Sequence, residues 1–193
     1  MDSPAFNDRS TPLALLLSRR SAKARDLVAP GPSATELETI LTAASRVPDH
    51  GKLAPWRFVL IEDRAAFAGL LVERYRADRP EAGRLEVEAM EAFARQAPTL
   101  IALVSLVRES HIPAWEQELS AGAAAQTLLI AAHALGYAGN WLTGAAAYLP
   151  GIAEALGVPG GRVAGFLFLG TPAMPLEERP RPAPAEVVLR WPG

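Results

Sequence analysis

Thr99 to Val107 reads Thr-Leu-Ile-Ala-Leu-Val-Ser-Leu-Val, an apolar and β-branched run with almost no polar relief. A strand that is apolar on both of its faces must be covered on both, so the run predicts a central strand inside a sheet flanked by helices. Trp56 to Ile61 and Val163 to Leu169 are further strand candidates. Between them lie segments with helical spacing and recognisable ends. Thr11-Pro12 opens a leucine-rich helix over about 12–20. Ser33-Ala34-Thr35-Glu36 is a capping box, followed by Leu37, Ile40, Leu41 and Ala44 on one face. Ala65 to Arg79 and Glu81 to Gln96 suit two surface helices, and Pro113 opens the longest helix, which Gly136 stops. Pro150 to Leu156 is one more short helix.

At 193 residues the chain is expected to be one domain over 1–193, with a flexible start at 1–11 and a proline-rich arm at 171–193. Val187-Val188-Leu189 inside the arm is a small β-prone island, long enough to pair with an exposed sheet edge. The arm has too little structure of its own to bury these residues and Trp191, which points to a neighbouring copy as their cover.

The chain has no cysteine, which excludes disulfides, thiolate zinc sites, iron–sulfur clusters and cysteine nucleophiles, and fits a reducing cytoplasm. The start lacks the basic-then-apolar order of a secretory signal. Ala121 to Leu135 is interrupted by Gln126, Thr127 and His133, and reads as a buried helix rather than a membrane span. With 19 basic against 21 acidic residues, the net charge is −2. No broad cationic field is available for nucleic acid or anionic lipid, so any bound anion must be held by local residues. The chain contains no G-x-S-x-G, Walker A, G-x-G-x-x-G or H-E-x-x-H pattern, and His50, His111 and His133 are scattered singly. His133 is expected to be a hydrogen-bonded structural histidine.

Three local sets carry chemistry. Arg19, Arg20 and Ser21 follow the first helix, and two guanidiniums with a hydroxyl can hold a phosphate. Arginines at a helix C-terminus also simply complement the dipole, and neighbouring helical residues point roughly 100° apart, so a shared ligand requires the backbone to unwind there. Arg46 and His50 frame a loop stiffened by Pro48 and Pro55, suited to a planar ligand; equally, Arg46 can cap its helix and His50 can be solvated. Trp141, Leu142, Thr143 and Gly144 form a loop or short strand end whose glycine lets a main-chain N–H approach a flat ring. Glu116 and Glu118, early in the longest helix, suit its dipole.

Taken together and in order, Arg19-Arg20-Ser21, Arg46-Val47-Pro48-Asp49-His50, Pro55-Trp56-Arg57-Phe58, Trp115 to Gly122, Trp141-x-Thr143-Gly144 and Gly165 to Pro172 resemble the nitroreductase family, and within it the short YdjA-type branch. The resemblance implies an α+β fold with a central mixed, mainly antiparallel sheet flanked by helices, and a homodimer with an extended C-terminal arm. It further implies an FMN cofactor at the dimer interface and ping-pong reduction of nitroaromatic or quinone-type acceptors with NAD(P)H. On that resemblance Arg19, Arg20 and Ser21 hold the flavin phosphate and ribityl chain, and Arg46 and His50 reach the flavin of the other subunit. Trp141, Leu142, Thr143 and Gly144 lie along the isoalloxazine, with Leu142 standing where relatives favour an arginine. No dedicated catalytic side chain and no metal are expected, since the flavin carries the chemistry. The alternative is a flavin-binding or flavin-sequestering homodimer without significant turnover.

Overall fold

The computed structural model describes residues 6–191; the segments expected as a flexible start (1–11) and a proline-rich arm (171–193) each reach past that range, and residues 1–5 and 192–193 lie outside the described residues. The elements are α1 (Pro12–Ser18), β1 (Leu27–Val28), α2 (Ala34–Ala44), β2 (Trp56–Leu60), α3 (Arg64–Asp78), α4 (Arg84–Arg95), β3 (Thr99–Ser105), α5 (Ala114–Ala134), β4 (Ala138–Leu142), α6 (Ile152–Ala155), β5 (Arg162–Pro172) and α7 (Pro184–Val187).

The helix starts follow their caps. Thr11 Oγ1 accepts from the Ala14 N–H at 3.0 Å, Ser33 and Glu36 close a reciprocal box, and Asp63 Oδ1 accepts from the Ala66 N–H at 2.8 Å. Each satisfies amides that the first helical turn leaves without a partner.

Strand order is β1-β5-β3-β2 with β4 also on β5, and every pairing among the described residues is antiparallel. The paired β3 and β5 form the middle of the sheet, where alternation divides the side chains between two cores. Leu100, Ala102, Val104, Phe166 and Phe168 join Phe67, Leu71 and Tyr75 of α3 on one face. Ile101, Leu103, Leu167 and Leu169 join Ile40 of α2 and Leu128 and Leu129 of α5 on the other. The continuous apolar run is thus a strand buried on both faces. Phe93 of α4 meets Phe166 and Phe168 edge-on, with ring centroids 5.3 and 5.2 Å away, and so fastens α4 to the first core.

Two parts of the chain depart from the sequence expectation. The short β1, paired to Thr171 and Pro172 at the end of β5, was not expected, since two residues are too few to carry a periodic signal. In the arm, the island at Val187-Val188-Leu189 forms no strand. Pro184, favoured in a first helical turn, starts α7 and takes Val187 into it. Val187, Val188, Leu189 and Trp191 remain exposed, the last two at 92%.

At Gly165, with φ of 152°, Trp141 crosses β5 so closely that an added Cβ would lie 2.1 Å from its Nε1 and 3.0 Å from the Leu142 carbonyl oxygen. Gly165→Ala is expected to cost about 1–3 kcal/mol through this overlap. In thermal unfolding that corresponds to a midpoint roughly 2–12 °C lower, and an unchanged midpoint would show that Trp141 is free to move aside.

Candidate functional site

α1 ends one residue before the first arginine: Arg19 has φ −59° and ψ 133°, so the chain leaves the helix there and the two arginines are released from helical spacing. Asn7 fixes the exit. Its Oδ1 accepts from the Arg20 N–H at 2.8 Å and its Nδ2 donates to the Arg20 carbonyl at 3.3 Å. On the other side Asn140 of β4 donates through Nδ2 to the Ala22 carbonyl, tying the segment to the sheet. The result is a cleft of about 250 Å3 lined by Arg19, Arg20, Ser21, Asn140, Trp141, Arg179 and Arg181.

Four guanidiniums therefore converge in a chain of net charge −2. Arg20 Nε donates to the Glu177 carbonyl of the arm, and Arg181 lies 3.5 Å from Glu178. Arg19 has no such relief: its Nη1 is buried without a partner among the described residues. Burial lowers its basicity first, followed by the positive charges of Arg181, Arg20 and Arg179. This arrangement asks for an anion. Arg179 and Arg181 are site residues that the sequence reading missed, because it took from the arm only its prolines and its apolar residues. The alternation Arg179-Pro180-Arg181-Pro182, two cations on a stiff backbone, was the available signal. Asn7 and Asn140 carry no signal in the sequence.

The segment Trp141 to Gly144 divides between two cavities. Trp141 lines the arginine cleft and donates through Nε1 to the Ala164 carbonyl at 3.1 Å. Leu142 turns its side chain to the first core. Thr143 and Gly144 line a separate cavity of about 500 Å3 with Tyr75, Arg79 and Tyr148.

Arg46 and His50 lie apart from the arginine cleft. Their loop is stiffer than its prolines alone make it. The Asp49 carboxylate accepts from the Leu53 and Ala54 N–H groups at 3.1 and 2.9 Å, and Ser120 Oγ of α5 donates to the Pro48 carbonyl at 2.6 Å. His50 Nδ1 sits 2.7 Å from Glu116 Oε2. Glu116 thus does more than complement its helix dipole, and Glu118 pairs with Arg162 at 3.0 Å. Arg46 is exposed and makes no ion pair among the described residues.

His133 differs from expectation. It is fully buried on α5, yet neither ring nitrogen has a hydrogen-bond partner among the described residues. Burial, and then the charge of Arg19, push its pKa from 6.5 down to about 4. Among the described residues no cluster of His, Asp and Glu could hold a metal ion, and no helix is long and apolar enough to cross a membrane.

The model of the "Nitroreductase family" matches residues 16–171. The chain is 37% identical over 166 residues to the Escherichia coli K12 protein named "Putative NAD(P)H nitroreductase YdjA", covering 84% of this chain and 88% of that one. A nitroreductase-like family protein from Bacillus cereus superposes with a TM-score of 0.77 at 21% identity, covering 98% of this chain and 100% of the other. A structure from Desulfovibrio desulfuricans, described as "a putative nitroreductase in complex with fmn", superposes with a TM-score of 0.71 at 25% identity, covering 94% of this chain and 96% of the other.

The buried imidazole makes a prediction about acid stability. Because its folded pKa lies below the unfolded value, the unfolded chain binds the extra proton. Stability is therefore lost as pH falls from about 6.5 towards about 4. At pH 5 the loss amounts to about 2 kcal/mol. Chemical unfolding of wild type and His133→Gln at pH 7.5 and pH 5 should show a smaller acid loss in the variant. Equal losses would mean that the folded ring titrates as if solvated.

Proposed function

The chain belongs to the nitroreductase family and is a flavin-dependent oxidoreductase; we propose that it uses FMN to carry electrons from NAD(P)H to nitroaromatic or quinone-type acceptors in two alternating, ping-pong half-reactions. The observation that carries this reading is the cleft lined by four guanidiniums in a chain of net charge −2. A phosphate-bearing cofactor fits such a donor set.

Arg19, Arg20 and Ser21 hold the phosphate and ribityl chain, and Arg179 and Arg181 of the arm add charge to the same end. The Trp141 to Gly144 segment runs along the isoalloxazine. Leu142 contributes only main chain there, since its side chain is committed to the core. When bound, FMN supplies the redox chemistry, taking hydride from the nicotinamide and passing electrons to the acceptor. The protein's part is to hold the ring, to neutralise the phosphate and to shape the space that donor and acceptor visit in turn.

A second copy of the chain completes the site. The arginine cleft, at about 250 Å3, is smaller than the roughly 300–1,000 Å3 of ordinary ligand sites. Leu13, Leu16 and Leu17 on α1, Trp115 and Leu119 on α5 and the apolar residues of the arm are exposed together, more than an isolated chain is expected to leave in water. In a homodimer Arg46 and His50 reach the flavin held by the other chain's arginines. The lack of cysteine fits a cytoplasmic setting.

The purified protein is expected to be yellow, with one FMN per chain, and to oxidise NAD(P)H with a nitroaromatic or quinone. Stoichiometric flavin with negligible turnover would favour the flavin-sequestering alternative. Arg19→Ala or Arg20→Ala should weaken FMN binding about tenfold or more, the loss of one charge-assisted contact of about 1.5–3 kcal/mol. Flavin fluorescence titration reads this, and unchanged affinity in both variants would return the arginines to a helix-ending role. Truncation after Thr171 should weaken dimerisation and flavin binding together; a truncated chain that sediments as an intact, fully flavinated dimer would remove the arm from both.

A further inference from the structure

Among the described residues only five buried side-chain atoms lack a hydrogen-bond partner, and three of them belong to one neighbourhood: Arg19 Nη1 and both ring nitrogens of His133. Buried polar atoms left in this state are uncommon and call for an explanation. The two side chains belong to elements that touch, Arg19 as the C-cap of α1 and His133 in the last turn of α5. Arg19 is also the one charged group that acts on the imidazole.

Among the described residues the other charged groups near α5 are few, and Arg9, whose guanidinium lies over Gly136 just past its end, is a further cation. β3 and β4 carry no titratable side chain, and Arg162 of β5 is paired with Glu118. Arg57 of β2 donates to the Ala54 and Trp56 carbonyls. On α2, Glu36 accepts from Ser33 and Tyr137, Glu38 is exposed, and the buried residues facing α5 are Ile40 and Ala44. Beyond Arg19 lie Arg20, Arg179 and Arg181, all of the same sign.

A guanidinium is planar and carries N–H groups on opposed edges, so it is fully satisfied only with an acceptor on each side. Arg19 lines the cleft, while its Nη1 is buried in the protein. A neutral imidazole is the acceptor available to that buried nitrogen.

We propose that His133 is a positioning residue for the anion site, its neutral imidazole accepting from Arg19 Nη1 so that the opposite edge of the guanidinium is presented to the ligand phosphate. Without an anion, Arg19 is pushed by the three neighbouring arginines and both groups are left unpartnered. A phosphate seated in the cleft removes that repulsion and lets the guanidinium settle between anion and ring. His133 thus acts through Arg19 and touches neither FMN nor substrate. The inference rests on the FMN reading for the identity of the ligand, and on the geometry alone for the coupling of the two residues.

The test is a double-mutant cycle on the full-length protein, read as the FMN dissociation constant from flavin fluorescence at pH 7.5. His133→Leu, which fills the space without an acceptor, should raise the constant about tenfold. His133→Gln, which keeps an acceptor, should stay within about threefold of wild type. In an Arg19→Ala background, His133→Leu should change the constant less than twofold, because the group it works through is gone. An unchanged constant in a folded His133→Leu protein, no rescue by Gln, or the same cost in both backgrounds would each overturn the proposal.

Two further readouts apply whether or not the Leu variant folds. In wild type with FMN bound, the imidazole 15N shifts of His133 should show a neutral ring with one nitrogen accepting a hydrogen bond; a charged or unbonded ring would refute the assignment. If wild type takes up no FMN, the flavin reading has failed. The same cycle is then read as the rise in melting temperature with inorganic phosphate, and absence of that rise in wild type would overturn the anion site itself.

Discussion

The antiparallel pairing of β3 with β5 is the constraint on which the other elements depend. Both strands are buried on both faces, so each successive side chain must find a core of its own, and the fold is obliged to supply two. One is closed by α3 and α4 through the phenylalanines, the other by α2 and the alanine-rich α5. β5 outlasts β3 and uses its other edge for β4, which brings Asn140 and Trp141 to the end of α1. The Asn140 bond to the Ala22 carbonyl then holds the segment that carries the arginines. Positioning of the cleft is therefore a consequence of strand length and pairing rather than of any contact between the arginines themselves.

Electrostatics oppose that arrangement. Five cations lining one cleft, the four arginines and Lys23, with Arg19 and Arg20 half-buried, raise the free energy of the folded chain unless something neutralises them. The nearby carboxylates do little to offset this, since among the described residues only Glu178 approaches the cluster as an ion pair, at 3.5 Å from Arg181. Structure retained against such repulsion is characteristic of a binding site, where local strain is relieved by the ligand. The His50–Glu116 pair is of a different kind: its side chains are 63% and 44% exposed, and it lies beside the exposed Trp115 and Leu119 of α5.

What could be read from the chain followed where one residue's environment is set by near neighbours. The capping box at Ser33, the helix periods and the apolar run at Thr99 are each a local signal, and the helices and the three main strands stand within a few residues of their expected bounds. Arg19, Arg20 and Ser21 were legible for the same reason, being adjacent in the chain. β1 escaped notice because its partner is more than a hundred residues away, and the arm arginines because their neighbours in space are not their neighbours in sequence.

The sequence by itself determined a sheet buried on both faces, the helices that cover it, and a basic turn after the first helix, because these follow from periodicity, caps and charge counted over a few residues. Only the tertiary structure decided that Trp141 joins the arginines while Thr143 faces another cavity, that Asn7 clamps the turn, and that His133 is left without a hydrogen bond. The physical reason is range. Hydrogen-bond satisfaction and desolvation depend on which distant segments meet, and that is set by strand register and packing, which no local pattern encodes.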